Sequence, residues 1–231
     1  MGVFVEDISR YMTRQPHFNA QELLFDELLK TNFDIVPKSL KGVLIGRSLW
    51  CTHSICDLLR LHEDAGKQYA SKVLDFSVQA LCEVESTSVQ LIATRTLIKY
   101  TRKKKNEELL ANSTKFERIL KPLMLLLDKA PLDCVYLPIE AFATFSKINK
   151  STIAQMSPLV TPKLLVLFRN HHSEGALGSE LINLFKQWCN YDECRQIFVN
   201  TFIPFIMQIV DAYYKSTPNA ENKHQVLSLK D

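Results

Sequence analysis

Leu120-Lys121-Pro122-Leu123, Val160-Thr161-Pro162-Lys163-Leu164 and Ile203-Pro204-Phe205 each set a proline inside an apolar stretch, and the prolines recur at steps of 40 and 42 residues. A second series alternates with the first. Leu49-Trp50, Leu97-Ile98, Phe142-Ala143 and Leu184-Phe185 follow one another at steps of 48, 45 and 42 residues. The repeating unit is therefore a pair of segments. An interior proline deletes a backbone hydrogen bond and costs about 3 kcal/mol in an isolated helix. Its recurrence implies a bend that packing against neighbours makes tolerable.

Working outward, apolar residues recur at three and four spacing in nearly every window, and sustained strict alternation is hard to find, so the chain reads as all helical. The pattern predicts helices over 3–13, 20–31, 40–61, 66–83, 87–104, 115–129, 134–148, 158–170, 176–189 and 192–214. Thr114 and Glu117 have capping-box spacing. Ser157-Pro158 suits an N-cap followed by proline at the first helical position, and Asp192 with Glu193 puts negative charge at the start of the last long helix. The predicted fold class is all-α, a HEAT-repeat superhelical solenoid of antiparallel pairs, because steps of about 40 to 47 residues are those of such repeats. Residues 1–38 read as a partial repeat and residues 39–231 as four repeats plus the start of another, in a single solenoid segment. Neither end carries the polar outer face of a capping repeat, so a fragment of a longer array is expected.

Composition narrows the classes of function. The 231 residues are 46% apolar and 23% charged with a formal charge of +3, the composition of a soluble folded protein and not of a disordered tail. So small a basic excess does not mark a nucleic-acid binder. The uncharged run from Gln196 to Val210 is 15 residues, short of a bilayer span. Glu6 and Asp7 interrupt the amino-terminal apolar residues, so neither an export signal nor a lipid anchor is expected. The six cysteines, Cys51, Cys56, Cys82, Cys134, Cys189 and Cys194, then read as reduced and mostly buried, in a cytoplasmic and nuclear protein.

Candidate chemistry fails on spacing. Gly42 to Ser48 echoes a phosphate loop but is one residue short, has Arg47 in place of lysine and follows no strand. Cys51 with Cys56 and Cys189 with Cys194 are five apart, a rotation of about 140° on a helix, which does not suit one metal. His171, His172 and Glu174 sit at a helix end with no nearby cysteine to complete a ligand set. Arg102 to Lys105 reads as a solvated cationic helix end. Trp50, Tyr100, Phe145, Phe185 and Trp188 read as core. No catalytic, cofactor-binding or metal residue is named, and no enzyme is expected.

Gly46-Arg47-Ser48-Leu49-Trp50 and the stretch Ser88 to Leu97, followed by Glu140-Ala141-Phe142, Glu180 to Gln187 and Phe202-Ile203-Pro204, resemble in order consecutive helices of the beta-karyopherins, the importin-beta family. The resemblance covers about residues 40–214. It implies a superhelical nuclear transport receptor that carries protein cargo such as histones and ribosomal proteins into the nucleus under control of the GTPase Ran, with no cofactor, no membrane and no direct nucleic-acid contact. These partners would be reached through the full-length parent. This stretch would be a curved spacer whose second helices line the concave face. Lys72, Gln79, Arg118, Lys121, Lys163 and Arg169 are the candidate contacts there. The acidic loop expected of the family is not visible in the sequence. The alternative reading is a HEAT-repeat scaffold subunit of a phosphatase, kinase or other signalling complex.

Overall fold

A computed structural model of the chain describes residues 37–56, 64–103, 113–171 and 175–216. Among them there are eight α-helices and no strand: α1 Lys38–Ile55, α2 Asp64–Glu83, α3 Thr87–Thr101, α4 Ser113–Lys129, α5 Tyr136–Phe145, α6 Lys150–His171, α7 Gly175–Cys189 and α8 Asp192–Ser216. A short 3-10 turn, Leu132–Cys134, leads into α5. The helices predicted over 3–13 and 20–31, and the partial repeat assigned to 1–38 apart from its last two residues, lie outside the described residues, as do the side chains of Thr114 and Lys115 in the expected capping box.

The order of contacts is regular. The odd helices touch in succession, α1 to α3, α3 to α5 and α5 to α7, while the even helices touch α2 to α4, α4 to α6 and α6 to α8. Sequence neighbours touch as well, α3 against α4 and α7 against α8 within a pair, and α2 against α3 and α4 against α5 from one pair to the next. The core runs along the seam between the two rows, through Leu49, Val73, Leu81, Leu97, Phe116, Leu123, Phe142, Leu164, Leu184 and Trp188. Phe116 meets Phe145 edge-on at 6.2 Å between α4 and α5. Phe185 joins Phe168, Phe198 and Phe202 at centroid distances of 5.8, 5.1 and 6.0 Å, tying α7 to α6 and α8.

Buried polar atoms stitch the odd row together. Tyr100, buried in α3, donates its hydroxyl to the carbonyl of Thr52 in α1 at 2.9 Å, and Thr96 Oγ1 reaches the carbonyl of Leu49 at 3.4 Å. Gln187 in α7 donates Nε2 to the carbonyl of Ala143 at 2.7 Å and also contacts the hydroxyls of Ser146 and Tyr191. Tyr100 and Gln187 reach carbonyls in the last turns of α1 and α5, where the helical ladder runs out of its own N–H groups.

The largest departure from the sequence reading is at α6, which begins at Lys150 and runs through both Pro158 and Pro162 instead of starting at Ser157-Pro158. Asn149 starts it, accepting the amide of Thr152 on Oδ1 at 3.1 Å. Pro158 has no N–H for the carbonyl of Ala154, and Ser157 Oγ donates to that same carbonyl at 2.8 Å. The serine repairs the break. Pro122 in α4 is served from outside: it orphans the carbonyl of Arg118, and Cys82 Sγ in α2 approaches that oxygen at 3.4 Å. Pro162 and Pro204 are exposed, which sets these interruptions on the solvent side of their helices.

Replacing Tyr100 by Phe leaves the carbonyl of Thr52 buried without this donor while keeping the ring. Urea denaturation should show a loss of about 1–2 kcal/mol with an unchanged slope. An unchanged midpoint would mean that this bond does not tie α1 to α3.

Candidate functional site

Four of the six residues expected on a concave face make contacts that explain them locally. Arg118 in α4 pairs with Glu83 in α2 at 3.4 Å, and Gln79 donates to the same carboxylate at 2.9 Å. Lys163 in α6 pairs with Asp128 in α4. Both ion pairs join one even helix to the next across a separation of 35 residues. Lys72 lies over the Tyr69 ring at 5.3 Å. Lys121 is exposed on α4, and Arg169 borders a cavity of about 450 Å³ whose other walls include Phe168, Phe205 and Ile209. The structure thus brings Gln79 and Arg118 to one carboxylate and spreads the remaining four along the even row. Pairs this exposed contribute about 0.2–1 kcal/mol each and are screened by salt.

The odd row has its own ion pair. Arg102, at the carboxyl end of α3, bridges to Glu140 in α5 at 2.7 Å and touches Thr144 Oγ1 at 3.4 Å. The cationic end expected to be merely solvated is in this part a cross-helix tie; Lys104 and Lys105 lie outside the described residues. Glu180 in α7 is drawn into the same group. Burial, and secondarily the Glu140 carboxylate, push its pKa up, while Arg102 pulls it down.

The thiols differ from the expectation in degree. None of the six is in a disulfide; Cys56 and Cys194 are buried and the other four half-buried. Burial raises the pKa of Cys51, Cys82, Cys134 and Cys189, which disfavours the reactive thiolate. Cys189 and Cys194 fall on separate helices, α7 and α8. Among the described residues no group of three or more His, Cys, Asp or Glu could hold a metal. His171 ends α6, whereas His172 and Glu174 lie outside the described residues. Gly42 to Ser48, the loop-like motif, is helical within α1.

Two surfaces were not legible in the sequence. Trp50, read as core, is 41% exposed, and Arg95 in α3 stacks over its ring at 5.7 Å. It belongs to an open groove of about 880 Å³ between α1, the start of α3 and the 129–137 turn. The signal for it was the pair Gly42 and Gly46, four apart and so on the same helix face, beside Arg47 and Trp50. The second surface is the outer side of α8. Phe198, Phe202 and Phe205 pack inward, while Ile203, Met207, Val210 and Tyr214 stay exposed in three and four spacing. By length and composition Cys194–Lys215 is apolar enough to cross a membrane, a longer span than the uncharged run alone. A helix apolar on both sides calls for cover on both sides.

No known protein family matches the chain, and neither a curated protein nor a solved structure does.

The Arg102, Glu140 and Glu180 group gives a pH-dependent prediction. An acid whose folded pKa is raised holds its proton more tightly in the fold, so its contribution falls as pH rises from the unfolded value through the raised one. Glu180→Gln should therefore raise the melting temperature at pH 7 and change it little below pH 4. A destabilised variant at pH 7 would show that the charge of Glu180 supports the fold.

Proposed function

We propose that the chain is a HEAT-repeat segment of a nuclear transport receptor of the beta-karyopherin family, similar to importin-9, and that it acts as a curved spacer between cargo-binding and Ran-binding repeats elsewhere in the parent. The observation that carries this reading is the alternation of contacts. Odd helices stack on odd helices and even on even, the arrangement a solenoid of antiparallel pairs requires. The ordered resemblance along residues 40–214 supplies the family. Cross-helix ties recur from one helix to the next, Glu83 to Arg118 and Asp128 to Lys163 on one row, Tyr100 to Thr52 and Arg102 to Glu140 on the other. Repeated nearest-neighbour links of this kind suit a spring-like connector, because each repeat senses only those beside it. The function in this reading is mechanical and uses no cofactor; the protein works in the cytoplasm and the nucleus.

A second reading has one observation in its favour. Histones and ribosomal proteins are basic, yet the even row presents Lys121 and Arg169 beside the paired Arg118 and Lys163, and the groove beside Trp50 is lined by cations. Such surfaces suit acidic partners. A HEAT-repeat scaffold of a phosphatase or kinase complex would carry them without contradiction, and a transport receptor would carry them only in a segment that leaves cargo to other repeats.

Recovery of cargo on the full-length parent separates the two. Release by Ran loaded with GTP but not with GDP is expected of the receptor, and equal recovery with both nucleotides supports the scaffold. Residues 1–231 alone should bind Ran in its GTP form far more weakly than the parent. Submicromolar binding by this stretch would place the switch inside it and end the spacer account.

A further inference from the structure

The groove beside Trp50 has features that the spacer reading does not use. Its floor is apolar, with Val89, Leu91 and Leu137 buried beneath Val43 and Trp50 at the opening. Its walls carry Arg47, Arg95 and Lys129, and among the described residues that line it there is no acid. The amino-terminal turn of α3 forms one side, from Ser86 to Val89, and the Ser86 side chain does not cap it. The first amides of a helix have no partner within it, so three cations and a positive helix end act on the same space. Gly42 contributes room that packing does not demand. A Cβ there would meet nothing within 4 Å, although glycine inside a helix costs about 1 kcal/mol against alanine. The groove is therefore open, apolar at its base and positive at its rim.

We propose that this groove binds a short acidic peptide segment of a partner protein, with one aromatic or large aliphatic side chain seated against Trp50 and Val43 and carboxylates placed toward Arg95, Lys129 and the start of α3. Charge complementarity selects the occupant. Acidic groups on the partner gain from Arg95 and Lys129 at the rim, and an apolar anchor covers the exposed indole. A nucleic acid suits the groove less well, because three cations above an apolar floor give no extended track for a phosphate backbone. The inference stands apart from the transport reading, since it uses only the α1, α3 and 129–137 surfaces.

The probe is a ten-residue peptide of aspartate and glutamate around one central phenylalanine. The controls are the same peptide with lysine for each acid, the all-acidic peptide without phenylalanine, inorganic phosphate and a ten-nucleotide single strand. The chain has two tryptophans, and Trp188 is 1% exposed, so binding near Trp50 is read by intrinsic fluorescence of the whole chain at low salt and checked by calorimetry. The acidic peptide should bind and should weaken at least tenfold on removal of its phenylalanine. It should weaken at least tenfold again with Arg95→Glu or Lys129→Glu, two exposed positions whose variants should keep the helical circular dichroism of the parent. Trp50→Ala should cost a similar factor by calorimetry. The proposal is overturned if the basic peptide binds as well, if the reversed charges leave affinity unchanged in a folded variant, or if phosphate or the oligonucleotide binds more tightly than the peptide.

Discussion

The interior helices have to be covered on two flanks at once, and the rest of the structure follows from how that is done. α3 is the clearest case: Val89, Leu91, Ala93, Leu97, Ile98 and Tyr100 are buried on it, with Thr94, Thr96 and Thr101 buried among them. α1, α2 and α5 all lie against it. Apolar burial at about 25 cal/mol per Å² drives that enclosure. Enclosure also strands polar groups, and each one left unmatched costs about 1–3 kcal/mol. The hydroxyls of Thr94 and Thr96 return to carbonyls four residues back in their own helix, at 2.8 Å each, while Tyr100 reaches across to Thr52. Packing and hydrogen bonding thus select the same neighbour at Tyr100, whereas the buried hydroxyl of Thr101 is left without a partner among the described residues.

The even row solves a different problem. Three of its helices, α4, α6 and α8, carry prolines inside them; the break at Pro158 is made good by Ser157 within α6 and the one at Pro122 by Cys82 from the adjacent α2. The second repair means that α4 depends on α2 for its own internal regularity. The Glu83–Arg118 pair lies in the same region and links the same two helices. One row is joined mainly through buried hydroxyl and amide donors, the other mainly through half-exposed charges. Bending such an array strains the two rows unequally, because exposed pairs shift at little cost and buried hydrogen bonds do not.

Most helix positions were legible because periodicity reports burial directly. α2, α3, α7 and α8 begin and end within three residues of their expected bounds. The misreading at Ser157-Pro158 arose because the local rule for a helix start was satisfied by residues that perform a repair instead. Neither Asn149 as the true cap nor the Ser157 bond to Ala154 leaves a spacing pattern in the sequence. Trp50 was misread for another reason. Its neighbour Leu49 is fully buried, and a register difference of one position puts the larger side chain at the mouth of a groove. Five of the six candidate contact residues were legible as cations on second helices, and Gln79 as a long polar side chain there. Their engagement by Glu83 and Asp128 was not, because it depends on which helix lies alongside, and single-helix periodicity is silent on that.

The account stands on each even helix lying against the next, and Lys163 with Asp128 reports this without any substitution. Carbodiimide treatment joins an amine to a carboxylate only at direct contact, so digestion and mass spectrometry of the treated chain should recover an isopeptide between Lys163 in α6 and Asp128 in α4. Linkage of Lys163 to a carboxylate on a non-adjacent helix, with no Asp128 product, would contradict the stacked rows from which the rest has been derived.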